Sequence, residues 1–138
     1  MTQQDSAPAG GQPSEPDPSR HTVLVVDDDV SLARLVRAIL RTADYEVATA
    51  CNGEEALEVA ANVHPDVIVL DLRMPRMDGP EFFRALRARG DFTPILVASS
   101  FGARTAQKEL GAEGSIEKPF DPEALITAVT RLSEMSHP

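Results

Sequence analysis

Val67-Ile68-Val69-Leu70 runs straight into Asp71. Four consecutive aliphatic residues, without alternation, read as a strand covered on both faces, the usual state of a parallel strand. Two other stretches have the same shape: Val23-Leu24-Val25-Val26 ends at Asp27-Asp28, and Ile95-Leu96-Val97-Ala98 ends at Ser99-Ser100. A shorter strand candidate ends at Lys118-Pro119. In an open α/β sheet the ligand crevice lies outside the carboxyl ends of the strands. The pattern therefore predicts that an acid pair, a lone acid, a hydroxyl and an amine meet on one rim.

Helical patterns fill the intervals. Leu32, Leu35, Val36, Ile39 and Leu40 recur at i, i+3, i+4, i+7 and i+8, one apolar stripe. Tyr45 to Ala50 is a weaker strand, and Asn52 with Glu55 three residues on forms a capping-box variant for a helix that turns Ala56, Leu57 and Ala60 inward. Pro65 breaks the chain before the strand at Asp66 to Leu70. Asp78-Gly79-Pro80-Glu81 starts a third helix, buried through Phe82, Phe83 and Leu86 and ended by Gly90. The fourth helix is thin: Ala103, Ala106, Gln107 and Leu110 lie between Gly102 and Gly111. The fifth opens at Asp121-Pro122 and buries Leu125, Ala128, Val129 and Leu132. Five βα units predict an α/β fold, a doubly wound parallel sheet with right-handed crossovers.

The bulk numbers set the frame. A chain of 138 residues has one-domain length, and 42% hydrophobic with 25% charged residues fits an ordinary globule. A net charge of -9 argues against a nucleic-acid face, which needs a basic stripe. Arg73, Arg76, Arg84, Arg87 and Arg89 make the one local exception, read as solvated helix surface among Phe82, Phe83 and Leu86. Cys51 is the single cysteine, so no disulfide framework or cysteine metal site is possible. Residues 1–20, with four prolines among Gly, Gln, Ser and acids, predict a disordered tail before one domain at 21–136. No signal-like or membrane-spanning apolar run appears, so the expectation is a cytoplasmic protein without membrane insertion. The chain stops almost where the fifth helix does, which predicts no attached output domain.

Carboxylates about 4 Å apart repel by roughly 4 kcal/mol per pair at an effective dielectric near 20. A fold retains such a cluster when a hard divalent cation occupies it. Mg²⁺ fits best, taking oxygen ligands and pairing one or two carboxylates with a substrate phosphate. Asp71, alone at the end of a central strand, is placed to attack phosphorus and become an acyl phosphate. Mg²⁺ and the Lys118 ammonium would share the phosphoryl oxygens, and Ser99 would donate a hydrogen bond to the same group. Each residue alone has a plainer reading: Asp27, Asp28 and Asp29 as helix caps, Asp71 as a turn acid, Ser99 bonded to backbone, Lys118 in solvent. Their shared position at the strand ends of one regular alternation favours the site.

Val26-Asp27-Asp28, Asp71-Leu72-Arg73-Met74-Pro75 with Met77-Asp78-Gly79, Pro94 to Ser99, and Lys118-Pro119-Phe120 together resemble a response-regulator receiver domain. The resemblance covers Thr22 to about Met135. It implies a flavodoxin-like sheet of strand order 2-1-3-4-5. It also implies that Asp71 accepts a phosphoryl group from a histidine kinase or a histidine phosphotransfer protein. Asp28, Asp71 and the Arg73 backbone carbonyl would bind Mg²⁺, with Asp27 reaching it through water, while Lys118 and Ser99 contact the phosphoryl oxygens. Receivers catalyse their own dephosphorylation, switch binding to a downstream protein target, and in some cases form a homodimer. Two positions depart from the pattern. Ser115 stands where receivers usually carry an aromatic, three residues before the lysine, and the segment from Ser99 to Lys118 is short by roughly three residues, close to one helical turn. The fourth helix is accordingly expected to be truncated or irregular. Arg73 and Phe101, two residues beyond Asp71 and Ser99, flank the site. By analogy they tune access of the hydrolytic water; core packing or solvent exposure is an equal reading for Phe101.

Other functions compete. A Mg²⁺-dependent phosphatase of the haloacid-dehalogenase type also uses a strand-end aspartate, but wants an acid at position 73, which is Arg73. A flavin carrier would need Ser, Thr or Gly amides in the first turn, which here is Asp27-Asp28-Asp29-Val30-Ser31. The expectation is a signalling phosphoacceptor rather than an enzyme with a separate substrate. A phosphorylation-independent docking scaffold remains the alternative.

Overall fold

The structure, a computed structural model, describes residues 20–136; the expected N-terminal tail lies, but for Arg20, outside them. Ten elements alternate: β1 (Thr22–Val26), α1 (Val30–Arg41), β2 (Glu46–Ala50), α2 (Gly53–Val63), β3 (Val67–Asp71), α3 (Gly79–Ala88), β4 (Ile95–Ser99), α4 (Ala103–Leu110), β5 (Gly114–Glu117) and α5 (Pro122–Ser136). The five strands pair in parallel in the order β2-β1-β3-β4-β5. Register puts Val26 beside Leu70 and Asp71 beside Ala98, so the ends of β1, β3 and β4 fall on one line.

Alternation along each strand divides the apolar runs between two cores. Val23, Val25, Val67, Val69, Leu96 and Ala98 face α1 and α5, meeting Val36, Leu40, Leu125, Val129 and Leu132. Leu24, Val26, Ile68, Leu70, Ile95 and Val97 face the other layer, meeting Ala56, Ala60, Phe82, Phe83 and Leu86. One expectation fails. Leu35 is 54% exposed, because the line that α1 presses on the sheet is Ala33, Val36 and Leu40. Leu32 and Ile39 flank that line, and Leu35 falls on the far side, 100° per residue round the helix.

The caps follow the sequence. Asp29 accepts from the Leu32 N–H (3.1 Å), and Asn52 from that of Glu55 (2.9 Å). Glu55 reaches back past the cap to the Cys51 N–H (2.8 Å). Asp78 and Glu81 exchange two 2.9 Å bonds in a full capping box. Helix α4, at eight residues the shortest, has no such support. It starts at Gly102 (φ 74°) without a side-chain cap and ends at Gly111 (φ 80°). Beyond it, Arg87, expected as solvated surface, is instead half-buried and ties α3 to the approach to β5: its guanidinium donates to the Asp91 and Thr93 carbonyls and pairs with Glu113 at 3.0 Å. Glu113 also accepts from the Ile95 N–H at 2.8 Å.

Candidate functional site

Asp27 directly follows β1 and Asp71 ends β3, both nearly closed to solvent at 6% and 7% exposure. Lys118, one residue past β5, reaches across β4 to both. Its Nζ lies 3.0 Å from Asp27 Oδ2 and 3.1 Å from Asp71 Oδ1. Asp28 is exposed beside them, and one oxygen from each of Asp27, Asp28 and Asp71 lies within 4.8 Å of the others. A cavity of about 290 Å³ opens over the group, lined also by Asp29, Arg73, Ser99, Ser100 and Phe101. Asp27 is fixed by accepting from the Asp29 N–H (2.9 Å), while Asp29 itself caps α1, so the acid run divides its labour.

The electrostatics are those of a strained cluster. Burial, and then repulsion from Asp27, raises the Asp71 carboxyl above its ordinary value, although Lys118 and the Arg73 N–H work in the opposite direction. Burial pulls the Lys118 ammonium down, but its bonds and attraction to Asp27 and Asp71 outweigh that, and its pKa is raised. The unsatisfied negative charge fits a divalent cation: three carboxylates, all hard oxygen donors, share one ammonium.

Ser99 is brought to the cavity wall, but its hydroxyl is turned to the chain just beyond it. Oγ donates to the Phe101 carbonyl (2.9 Å) and accepts from the Phe101 N–H (3.2 Å). Phe101 itself is 87% exposed, which excludes core packing. Sequence reasoning missed two supports. A Cβ on Gly79 would lie 2.6 Å from the Asp71 carbonyl oxygen, and one on Gly53 2.6 Å from that of Met77. The Gly79 N–H donates to Leu72 (3.1 Å) and the Gly53 N–H to Met77 (3.0 Å). Two helix starts thus press on the loop after Asp71, and the only hint in the sequence was a glycine at each start.

The family model described as response regulator receiver domain matches residues 23–130. The chain belongs to the response-regulator receiver family. The receiver is 41% identical over 119 residues to response regulator MprA of Mycobacterium sp. (strain KMS), an alignment covering 84% of this chain and 52% of that protein. It thus spans about half the length of the curated relatives it matches. Among solved structures, chemotaxis protein CheY4 of Vibrio cholerae superposes with a TM-score of 0.76 at 39% identity, covering 83% of this chain and 99% of that one. The Francisella response regulator 1452 receiver domain gives 0.79 at 29% identity, covering 85% and 99%. Receivers act in two-component signalling, bind Mg²⁺, and interact with histidine kinases or phosphotransfer proteins. Among the described residues of this receiver, no helix is long and apolar enough to cross a membrane.

Proposed function

We propose that Asp71 is the phosphoacceptor of this receiver and that its modification switches binding to a downstream protein. The observation that carries the reading is the Lys118 ammonium held at 3.0 and 3.1 Å between Asp27 and Asp71, under an open cavity. An Asp71 carboxylate oxygen attacks phosphorus of a phosphohistidine on a kinase or phosphotransfer protein. The new P–O bond forms as the P–N bond breaks, and the electron pair leaves with the imidazole. Lys118 turns from Asp71 to the incoming phosphoryl oxygens, and the Ser99 hydroxyl donates to another of them. Asp28, Asp71 and the Arg73 carbonyl, with Asp27 beside them, would hold Mg²⁺, which would supply charge neutralisation for the phosphoryl oxygens. The chain has no separate substrate to turn over; its chemistry is confined to gaining and losing its own phosphoryl group.

Acetyl phosphate with Mg²⁺ should give a hydroxylamine-sensitive phosphoryl adduct on Asp71, seen by mass spectrometry, and Asp71→Asn should abolish it. An unmodified wild-type protein, or an adduct that survives the substitution, overturns the reading.

Ser115 on β5 and the eight-residue α4 favour a second reading, a docking scaffold indifferent to phosphorylation. That reading predicts no change of melting temperature in millimolar Mg²⁺.

A further inference from the structure

The chain carries a net charge of -9, yet α1 contains Arg34, Arg37 and Arg41 and no acid. Spacings of three and four put these residues on one face of the helix. All three are exposed, and among the described residues no ion pair engages any of them. Arg34 and Arg37 line a groove of about 340 Å³ between α1 and the edge strand β2, with Thr49 and Cys51 on its far side. The two acids of the groove are already engaged, Asp27 by Lys118 and the Asp29 N–H, Glu55 by the Cys51 N–H. An acidic molecule thus presents a strip of uncompensated positive charge.

The described chain begins at the far end of this helix. Arg20 pairs with Glu46 at the start of β2 (3.0 Å). The Tyr45 N–H donates to the Leu40 carbonyl (3.2 Å), which sets the last turn of α1, with Arg41, beside that point. Before Arg20 come Asp17 and Glu15, with Asp5 further out and no basic side chain among residues 1–19. Extended chain spans at most about 3.5 Å per residue, so Asp17 reaches roughly 10 Å from Arg20 and Glu15 roughly 17 Å. That is enough to meet Arg41 and then Arg37, which lie about 6 Å apart along the helix axis. A tether this short holds the acids at an effective concentration on the order of millimolar, so weak ion pairs suffice.

We propose that residues 1–19 dock on the arginine face of α1 in the same chain. Asp17 and Glu15 pair with Arg41 and Arg37, and the residues before them cross the groove at Arg34 and Cys51. Asp27 lines both this groove and the acid cavity, so the segment lies against the outer wall of the acid site. A partner that approaches the acids over α1 must displace it. The contact does not depend on whether Asp71 accepts a phosphoryl group.

Cys51, the single cysteine, lines that groove and reports its cover. The rate at which N-ethylmaleimide, a neutral reagent, alkylates it is measured on the full chain at low salt. Glu15→Lys with Asp17→Lys should raise the rate about threefold, the scale of two exposed ion pairs. Arg37→Glu with Arg41→Glu should raise it too, although the added negative charge by itself would slow the thiol. All four reversals together should restore protection, and 1 M NaCl, with a Debye length of about 3 Å, should abolish it. Equal rates in the wild type and the Glu15, Asp17 variant overturn the docking; both positions precede the described fold, so the comparison does not hinge on a core substitution. A slower rate in the arginine variant also overturns it. Protection that grows with protein concentration assigns the contact to a second copy and overturns the intrachain one.

Discussion

Asp71 and Lys118 both titrate above their ordinary values, with opposite consequences for stability. For Asp71 the cause is burial and then the neighbouring Asp27 charge, so the folded protein holds that proton more tightly than the unfolded chain. Its contribution to folding is neutral in acid, below the ordinary 3.8, and turns unfavourable as pH rises through that value and the raised folded one. Lys118 runs the other way. Its stabilisation is fully present below 10.5 and is lost only as pH rises through its raised folded value. In metal-free buffer, urea denaturation should therefore find Asp71→Asn more stable than wild type at pH 7, with the difference closing near pH 4. Equal or lower stability at pH 7 would contradict this. That Asp27, Asp71 and Lys118 share one rim was legible because each ends a strand or directly follows one. That Lys118 joins Asp27, 91 positions away, was not legible, nor was the turn of Ser99 toward Phe101; both depend on side-chain torsions that no spacing encodes.

Elements were legible where local chemistry decides them. Asp78 with Glu81 announced α3, and Gly102 with Gly111 announced a short α4. Leu35 was misread because a five-residue stripe is wider than the line a helix presses against a sheet. The role of Gly79 was hidden because a close approach to backbone is a tertiary fact. Gly79→Ala would push a Cβ against the Asp71 carbonyl oxygen at 2.6 Å and the Leu72 Cα at 2.8 Å, main-chain atoms that cannot swing aside. Overpacking of this kind costs about 1–3 kcal/mol, and the displaced Asp71 should accept phosphoryl groups more slowly. Urea denaturation and acetyl-phosphate labelling check the two effects, and wild-type values for both would show that the loop gives way without consequence.

For the whole molecule, the strand order places the carboxyl ends of β1 and β3 side by side and brings the end of β5 within reach of both, which is why residues 27, 71 and 118 converge. The parallel runs made the sheet legible; the division of their residues between two cores needed only alternation. A cation bound by the native state alone stabilises it by RT ln(1 + [L]/Kd), about 1.4 kcal/mol at tenfold excess over Kd. Mg²⁺ should therefore raise the melting temperature of the wild-type protein, and Asp28→Ala should remove most of that rise. An identical rise in both proteins would take Asp28 out of the metal site.

The two glycine contacts behind the β3–α3 loop have a directional consequence. With α3 seated against the main chain at Asp71 and Leu72 and α2 against Met77, the acid has a backstop on that side, which on the phosphoacceptor reading would oppose its recoil under a bulky, doubly charged group. On the opposite wall, nothing lies within 4 Å of where a Cβ on Gly102 would be. On the phosphoacceptor reading, displacement at the acid would then be taken up on the β4–α4 half of the rim.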